Sequence, residues 1–214
     1  MKKLKQLSAI LLAFVMVLSF AACGASKQNA VGTWSLTMDL SAAMKEEMGS
    51  EFSDFNAPFV FKVYLDLNKD GSYKMYVDEK ETEESMTPFM EAFADYFIEY
   101  LYTAMEAQGV DRASAQTALE AQFGMPVKDY ALQSLKESID IAALTESITA
   151  EGVYEIKDGK FYMGESSINK SVYDLVTIDG DKMILSQAAD AVASPLLDES
   201  IPGLSYPFTL TKVN

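Results

Sequence analysis

The sequence predicts an α+β fold: an antiparallel up-and-down β-barrel of about eight strands that carries an inserted block of three to four helices. Three observations predict it. The apolar residues change period twice, from alternation over Val31 to Glu79, to helical spacing over Thr82 to about Ala150, and back to alternation over Glu151 to Asn214. Turn signals rich in Asn, Asp and Gly join neighbouring strands. The strands so joined number about eight, and that many hairpin-linked strands suggest closure into a barrel.

In the first strand Trp34, Leu36, Met38 and Leu40 alternate with Thr33, Ser35, Thr37 and Asp39, as a half-buried strand requires. Ser41 to Phe52 reads as a short helix or turn. Phe59, Phe61, Val63, Leu65 and Leu67 share the apolar face of the next strand, and Tyr73, Met75 and Val77 continue the alternation after Asn68-Lys69-Asp70-Gly71. Tyr154 to Met163 is a hairpin with Asp158-Gly159 at its tip, and Val176 to Leu185 is another around Asp179-Gly180. Tyr206 to Val213 is the last strand, with Pro207 near its start where a missing N–H is tolerated.

The helical block is punctuated by its own caps. Thr87-Pro88 reads as an N-cap followed by proline at the first helical position. Phe89, Phe93, Phe97, Tyr100, Leu101 and Ala104 then recur at helical spacing, with Met90 and Tyr96 widening the stripe. Gly109 ends this helix, Asp111 caps a second that stops at Gly124, and Pro126 opens a third containing Leu132, Leu135 and Ile139. Ile141, Leu144 and Ile148 extend the pattern.

The N-terminal segment carries an address. Met1-Lys2-Lys3-Leu4-Lys5 is short and positive, and an apolar stretch runs from about Leu7 to Phe20. A bilayer span needs roughly 20 apolar residues, so this stretch fits the apolar region of a secretory signal instead. The residues Leu18-Ser19-Phe20-Ala21-Ala22-Cys23-Gly24 resemble the lipobox of bacterial lipoproteins. That resemblance implies removal of residues 1–22, lipidation of Cys23 and a membrane anchor outside the cytoplasm. Cys23 is the only cysteine, which an exported chain would otherwise leave as a stray thiol. Residues 23–30 read as a lipidated cysteine and polar tether, and residues 31–214 as one barrel domain with its helical insertion at about 82–150.

Composition excludes several function classes. Removing residues 1–22 takes three of the 17 basic residues and none of the 32 acids, so 14 positive charges face 32 negative ones, a net charge of −18. Nucleic acid and anionic headgroups are poor partners for such a surface. The absence of histidine removes Ser-His-Asp and Cys-His machinery and His-ligated zinc. The expectation is a non-enzymatic protein with no cofactor and no metal. Asp66-Leu67-Asn68-Lys69-Asp70-Gly71 matches the first half of a calcium loop, but Lys74 and Val77 stand where the ninth and twelfth ligands belong, so it reads as a hairpin turn.

Val31-Gly32-Thr33-Trp34 resembles the Gly-x-Trp opening of lipocalins and of the smaller lipocalin-like domains of bacterial lipoproteins. The three Asp-Gly hairpins and the closing Phe208-Thr209-Leu210-Thr211-Lys212 strand are similar to theirs too. The resemblance implies a barrel closed by Gly32, Trp34 and Lys212, the last standing where the family usually has arginine over the tryptophan. It also implies a cavity for a small apolar or amphipathic ligand, with Leu36, Met38, Phe61, Val63, Tyr73 and Met75 as candidate lining. A rival expectation is an interaction or structural protein with a side-chain-filled barrel and a helical block that docks a partner. A hydrolase using two carboxylates is a third. Residues Ala188 to Ser205, apolar and rich in turn formers, read as a lid or a barrel-end plug. The lipobox has a direct test: Cys23→Ala should abolish incorporation of radiolabelled palmitate, and a variant that still takes up label would refute the anchor assignment.

Overall fold

Eight strands join in sequence order into one closed antiparallel barrel in the computed structural model, which describes residues 26–48, 54–138, 141–196 and 205–213. The export segment 1–22, Cys23 and residues 197–204 of the apolar loop lie outside the described residues. The order is α1 (Lys27–Ala30), β1 (Gly32–Asp39), α2 (Ser41–Met48), β2 (Val60–Leu67) and β3 (Ser72–Tyr76). Four helices follow, α3 (Glu79–Glu106), α4 (Arg112–Phe123), α5 (Val127–Ser138) and α6 (Ile141–Ile148). The chain then returns to the sheet as β4 (Ala150–Lys157), β5 (Lys160–Gly164), β6 (Asp174–Asp179), β7 (Lys182–Gln187) and β8 (Phe208–Lys212).

Alternation sets the register. Trp34, Leu36 and Met38 point inward on β1 and pair across with Leu65, Val63 and Phe61 on β2. A slip of one residue would turn each of these side chains out to solvent. The tight β4–β5 hairpin works because Asp158 and Gly159 both adopt positive φ, 53° and 72°, which matches the twist of the strands they join. Closure comes from β1, which pairs with β2 on one edge and with β8 on the other through Trp34↔Lys212 and Ser35↔Thr211.

The barrel has two unlike ends. The base collects the start of β1, the turns at 68–71, 158–159 and 180–181, and the end of β8. The top collects the remaining connections, including the helical block between β3 and β4. The segment expected to be a tether is folded from Lys27 onward: α1 lies against the base, and its Ala30 is completely buried.

The first long helix begins earlier than the caps suggest. Asp78, not Thr87, is the N-cap, its Oδ1 accepting from the Glu81 N–H at 2.7 Å. Pro88 sits inside an unbroken helix of 28 residues. It lies on the exposed side, where water can reach the carbonyl its missing N–H leaves open. The buried face is Thr82, Met86, Phe89, Met90, Ala94, Ile98 and Tyr102, so the expected stripe is rotated: Tyr100 and Ala104 are exposed, and Phe93, Phe97 and Leu101 are half-buried. The other helix punctuation stands where expected, with Asp111 capping α4 and Gly124 ending it at φ +71°.

The first turn of α3 is fastened to the outside of the barrel. Tyr64 on β2 donates its hydroxyl to the Glu81 carboxylate, which Lys62 also holds. That hydrogen bond, with burial and the nearby charge adding to it, pushes the Tyr64 phenol up to about 12. The lysine and phenol together hold Glu81 below its usual range. Because the folded phenol binds its proton more tightly than an unfolded one, stability from this contact is present below pH about 10 and is lost as pH rises through about 12. Subtracting the Tyr64→Phe titration from that of the unmutated protein should isolate one phenol ionising near about 12. Its midpoint should fall toward the ordinary value in Glu81→Gln, and a midpoint indifferent to Glu81 would show that the contact does not form.

Candidate functional site

The base of the barrel is built around one tryptophan. Trp34 is fully buried, and its Nε1–H donates to the Ala30 carbonyl at 2.6 Å, tying α1 to the floor. Lys212 reaches over from β8, placing Nζ 5.3 Å from the ring centroid. Gly32 makes that path possible: a Cβ there would stand 2.9 Å from Lys212 Cε, and its φ of +135° is one that residues with side chains rarely adopt. The structure thus brings Gly32, Trp34 and Lys212 together in a closed floor.

The six residues expected to line a cavity lie on the inner face of the barrel. Leu36, Met38, Phe61, Val63 and Tyr73 are all buried in one contiguous core cluster, with Met75 packed against it. Phe161, Met183, Leu185, Phe208 and Leu210 point into the same interior from the other side. An eight-stranded barrel can be filled by its inward side chains or can hold one small ligand, and here many of the inward side chains are large. The six candidates stand within or against that core cluster. The described part of the long apolar loop adds to it, since Leu196 joins the same cluster. Asp174, fully buried at the top of β6, accepts from Tyr206 Oη at 2.7 Å and from Ser194 Oγ at 3.1 Å, so the described ends of that loop are fixed to the rim. At the base, Asp70 caps its own hairpin by accepting from Ser72 N and Oγ.

An apolar groove lies instead in the helical block. Its volume is about 240 Å³. One wall is α3, with Phe93, Phe97 and Leu101 at successive turns, and the other is α5, with Val127, Ala131 and Leu135. Phe123 and Tyr130 form one end, their rings stacked 3.9 Å apart. Ser134 and the Tyr130 phenol supply the polar side-chain groups among the principal lining residues. Charge pairs join the helices at the edges of the groove. Lys128 on α5 meets Asp95 on α3 at 2.7 Å, and Arg112 on α4 grips Glu99 on α3 while lying 4.6 Å from the Tyr102 ring. The hydrogen bond to Asp95 raises the Lys128 ammonium, and that to Arg112 lowers the Glu99 carboxyl.

The lining on α4 and α5 includes just one residue singled out by sequence, Leu135, as part of the third helix's apolar pattern. Its trace in the sequence is the width of the α3 stripe, which spans more than one face of the helix: one set of side chains packs inward and the adjacent set is left to line a groove. Among the described residues no cluster of three or more metal-ligating side chains occurs, and no helix is long and apolar enough to cross a membrane. No family model matches the chain, and no curated protein or solved structure matches it.

The floor has a direct optical readout, because Trp34 is the only tryptophan. Its emission should be blue-shifted and poorly quenched by acrylamide. Trp34→Ala should cost about 3–5 kcal/mol, and Lys212→Ala should shift the emission toward that of exposed tryptophan with a smaller loss of stability. Emission that is already solvent-like and indifferent to Lys212→Ala would contradict the closed floor.

Proposed function

We propose that this protein is a lipid-anchored, extracytoplasmic and non-enzymatic binding protein in which the barrel is a solid scaffold and the helical groove takes the ligand. The anchor reading is supported by the basic start, the apolar stretch and the small residues before Cys23. The absence of histidine supports a role without nucleophilic or His-ligated metal chemistry. The single observation that carries the binding reading is the half-buried row Phe93, Phe97 and Leu101 facing α5 across an apolar groove, beside a barrel whose inward side chains gather in one core cluster. Concave apolar walls with few polar groups are the usual form of a small-molecule site.

Charge narrows the ligand. Residues 78–150 hold 15 acidic residues and four basic ones, and two of the basic residues, Lys128 and Arg112, are already engaged by Asp95 and Glu99. A carboxylate or phosphate head would meet an acidic field. The groove suits an amphipathic molecule with an apolar body and an uncharged or cationic head. A second reading rests on Tyr100 and Tyr130, both exposed near the groove: an apolar side chain of a partner protein could occupy the same space.

The uncharged probe N-phenyl-1-naphthylamine distinguishes site from scaffold. Its fluorescence should rise on mixing with the protein, and Ala131→Trp, which fills the groove, should weaken binding by at least about tenfold, equivalent to ~1.4 kcal/mol, without altering the thermal melt. An undiminished response in that variant, or none in the unmutated protein, would overturn the reading.

A further inference from the structure

We infer that the barrel stands base-down on the bilayer that holds its lipid, and that the helical groove is held away from that bilayer and faces outward. The inference rests on the lipid anchor proposed above and adds the surface through which the protein meets the membrane. The first support is reach. Three residue steps separate Cys23 from Ser26, a span of at most about 11 Å. From Lys27 onward the chain is docked on the base: Ala30 is buried, its carbonyl takes the Trp34 N–H, and Lys27 lies beside the Gly71 turn and over the Tyr154 ring. A lipid at Cys23 therefore cannot be far from the base, whichever way the intervening residues run.

The second support is the course of α3. Its first turn touches Tyr64 midway along β2, Phe89 meets Phe59 just beyond the top end of β2, and Ile98 and Tyr102 form a buried cluster with the helices that follow. The helix thus climbs the barrel wall from base toward top and projects past it. At about 3.3 Å per strand residue and 1.5 Å per helical residue, the groove stands on the order of 30–40 Å from the base.

Charge supplies a third and independent support. At the base the lysines Lys27, Lys69, Lys157, Lys182 and Lys212 are matched by a similar number of aspartates in and beside the turns, whereas residues 78–150 carry a net charge of −11 from 15 acids and four bases. An anionic bilayer surface repels the helical end more strongly than the base. Tether and field favour the same orientation. A ligand would then reach the groove from the surrounding medium rather than by diffusing up from the anchoring membrane.

The test uses the lipidated full chain in phosphatidylglycerol-containing vesicles. With Cys23 consumed by lipid, an engineered cysteine is the one free thiol for a fluorescent donor. Asp181→Cys reports the base and Ala113→Cys the far end of the helical block, both at exposed positions. Energy transfer to a headgroup-labelled acceptor lipid should be several-fold stronger from position 181 than from position 113. Equal transfer, or stronger transfer from position 113, in protein that floats with the vesicles would overturn the orientation and leave the anchor intact. Protein that does not float would overturn both.

Discussion

The seam between β1 and β8 is the constraint on which the rest of the molecule depends. Two residue pairs close it, Trp34↔Lys212 and Ser35↔Thr211, with Val213 N–H reaching on to the Thr33 carbonyl. Without it both strands would be open edges with unpaired backbone groups. With it, the interior becomes a closed space of fixed width, and every inward position must be filled from a limited volume. Trp34, Phe161, Met183 and Leu210 do so with almost no exposure. The same closure that protects the edges therefore sets the width of the core.

The part of the structure written in local pattern was legible in advance. Strand alternation, the Asp-Gly tips, the Asp111 cap and the Gly124 stop each depend on a few neighbouring residues, and each lies where the pattern places it. What depends on several elements at once was not. Thr87-Pro88 carries a local signature for a helix start, but the helix starts two and a half turns earlier at Asp78, which caps the Glu81 N–H while Tyr64 and Lys62 on a strand hold the Glu81 carboxylate. Cap and tertiary fastening together outweigh the proline there.

The candidate site shows the same division. Parity correctly assigned Leu36, Met38 and Val63 to the inside of the barrel, yet parity says nothing about whether an inside is empty. That depends on the summed size of side chains from eight strands. The groove was hidden for a related reason: Phe93, Phe97 and Leu101 belong to one helix, but their partners Phe123, Tyr130 and Leu135 come from two others, which meet the first through the buried cluster of Ile98, Tyr102, Ala115 and Val127. A stripe wider than one face marks that something lies beside a helix, without saying what.

The helical block enters and leaves the sheet through a narrow doorway. Tyr76 ends β3 and Ala150 begins β4, and Met75 is paired directly with Ala150, so the 73 intervening residues are in topology a single hairpin loop. Closing a disordered loop of that length costs about 3 kcal/mol more chain entropy than closing a two-residue turn. Helices within the loop replace disordered chain and lower that cost. Pairing of β3 with β4 is thus coupled to order in the four helices between them, and the closed barrel depends on a part of the chain that lies outside it.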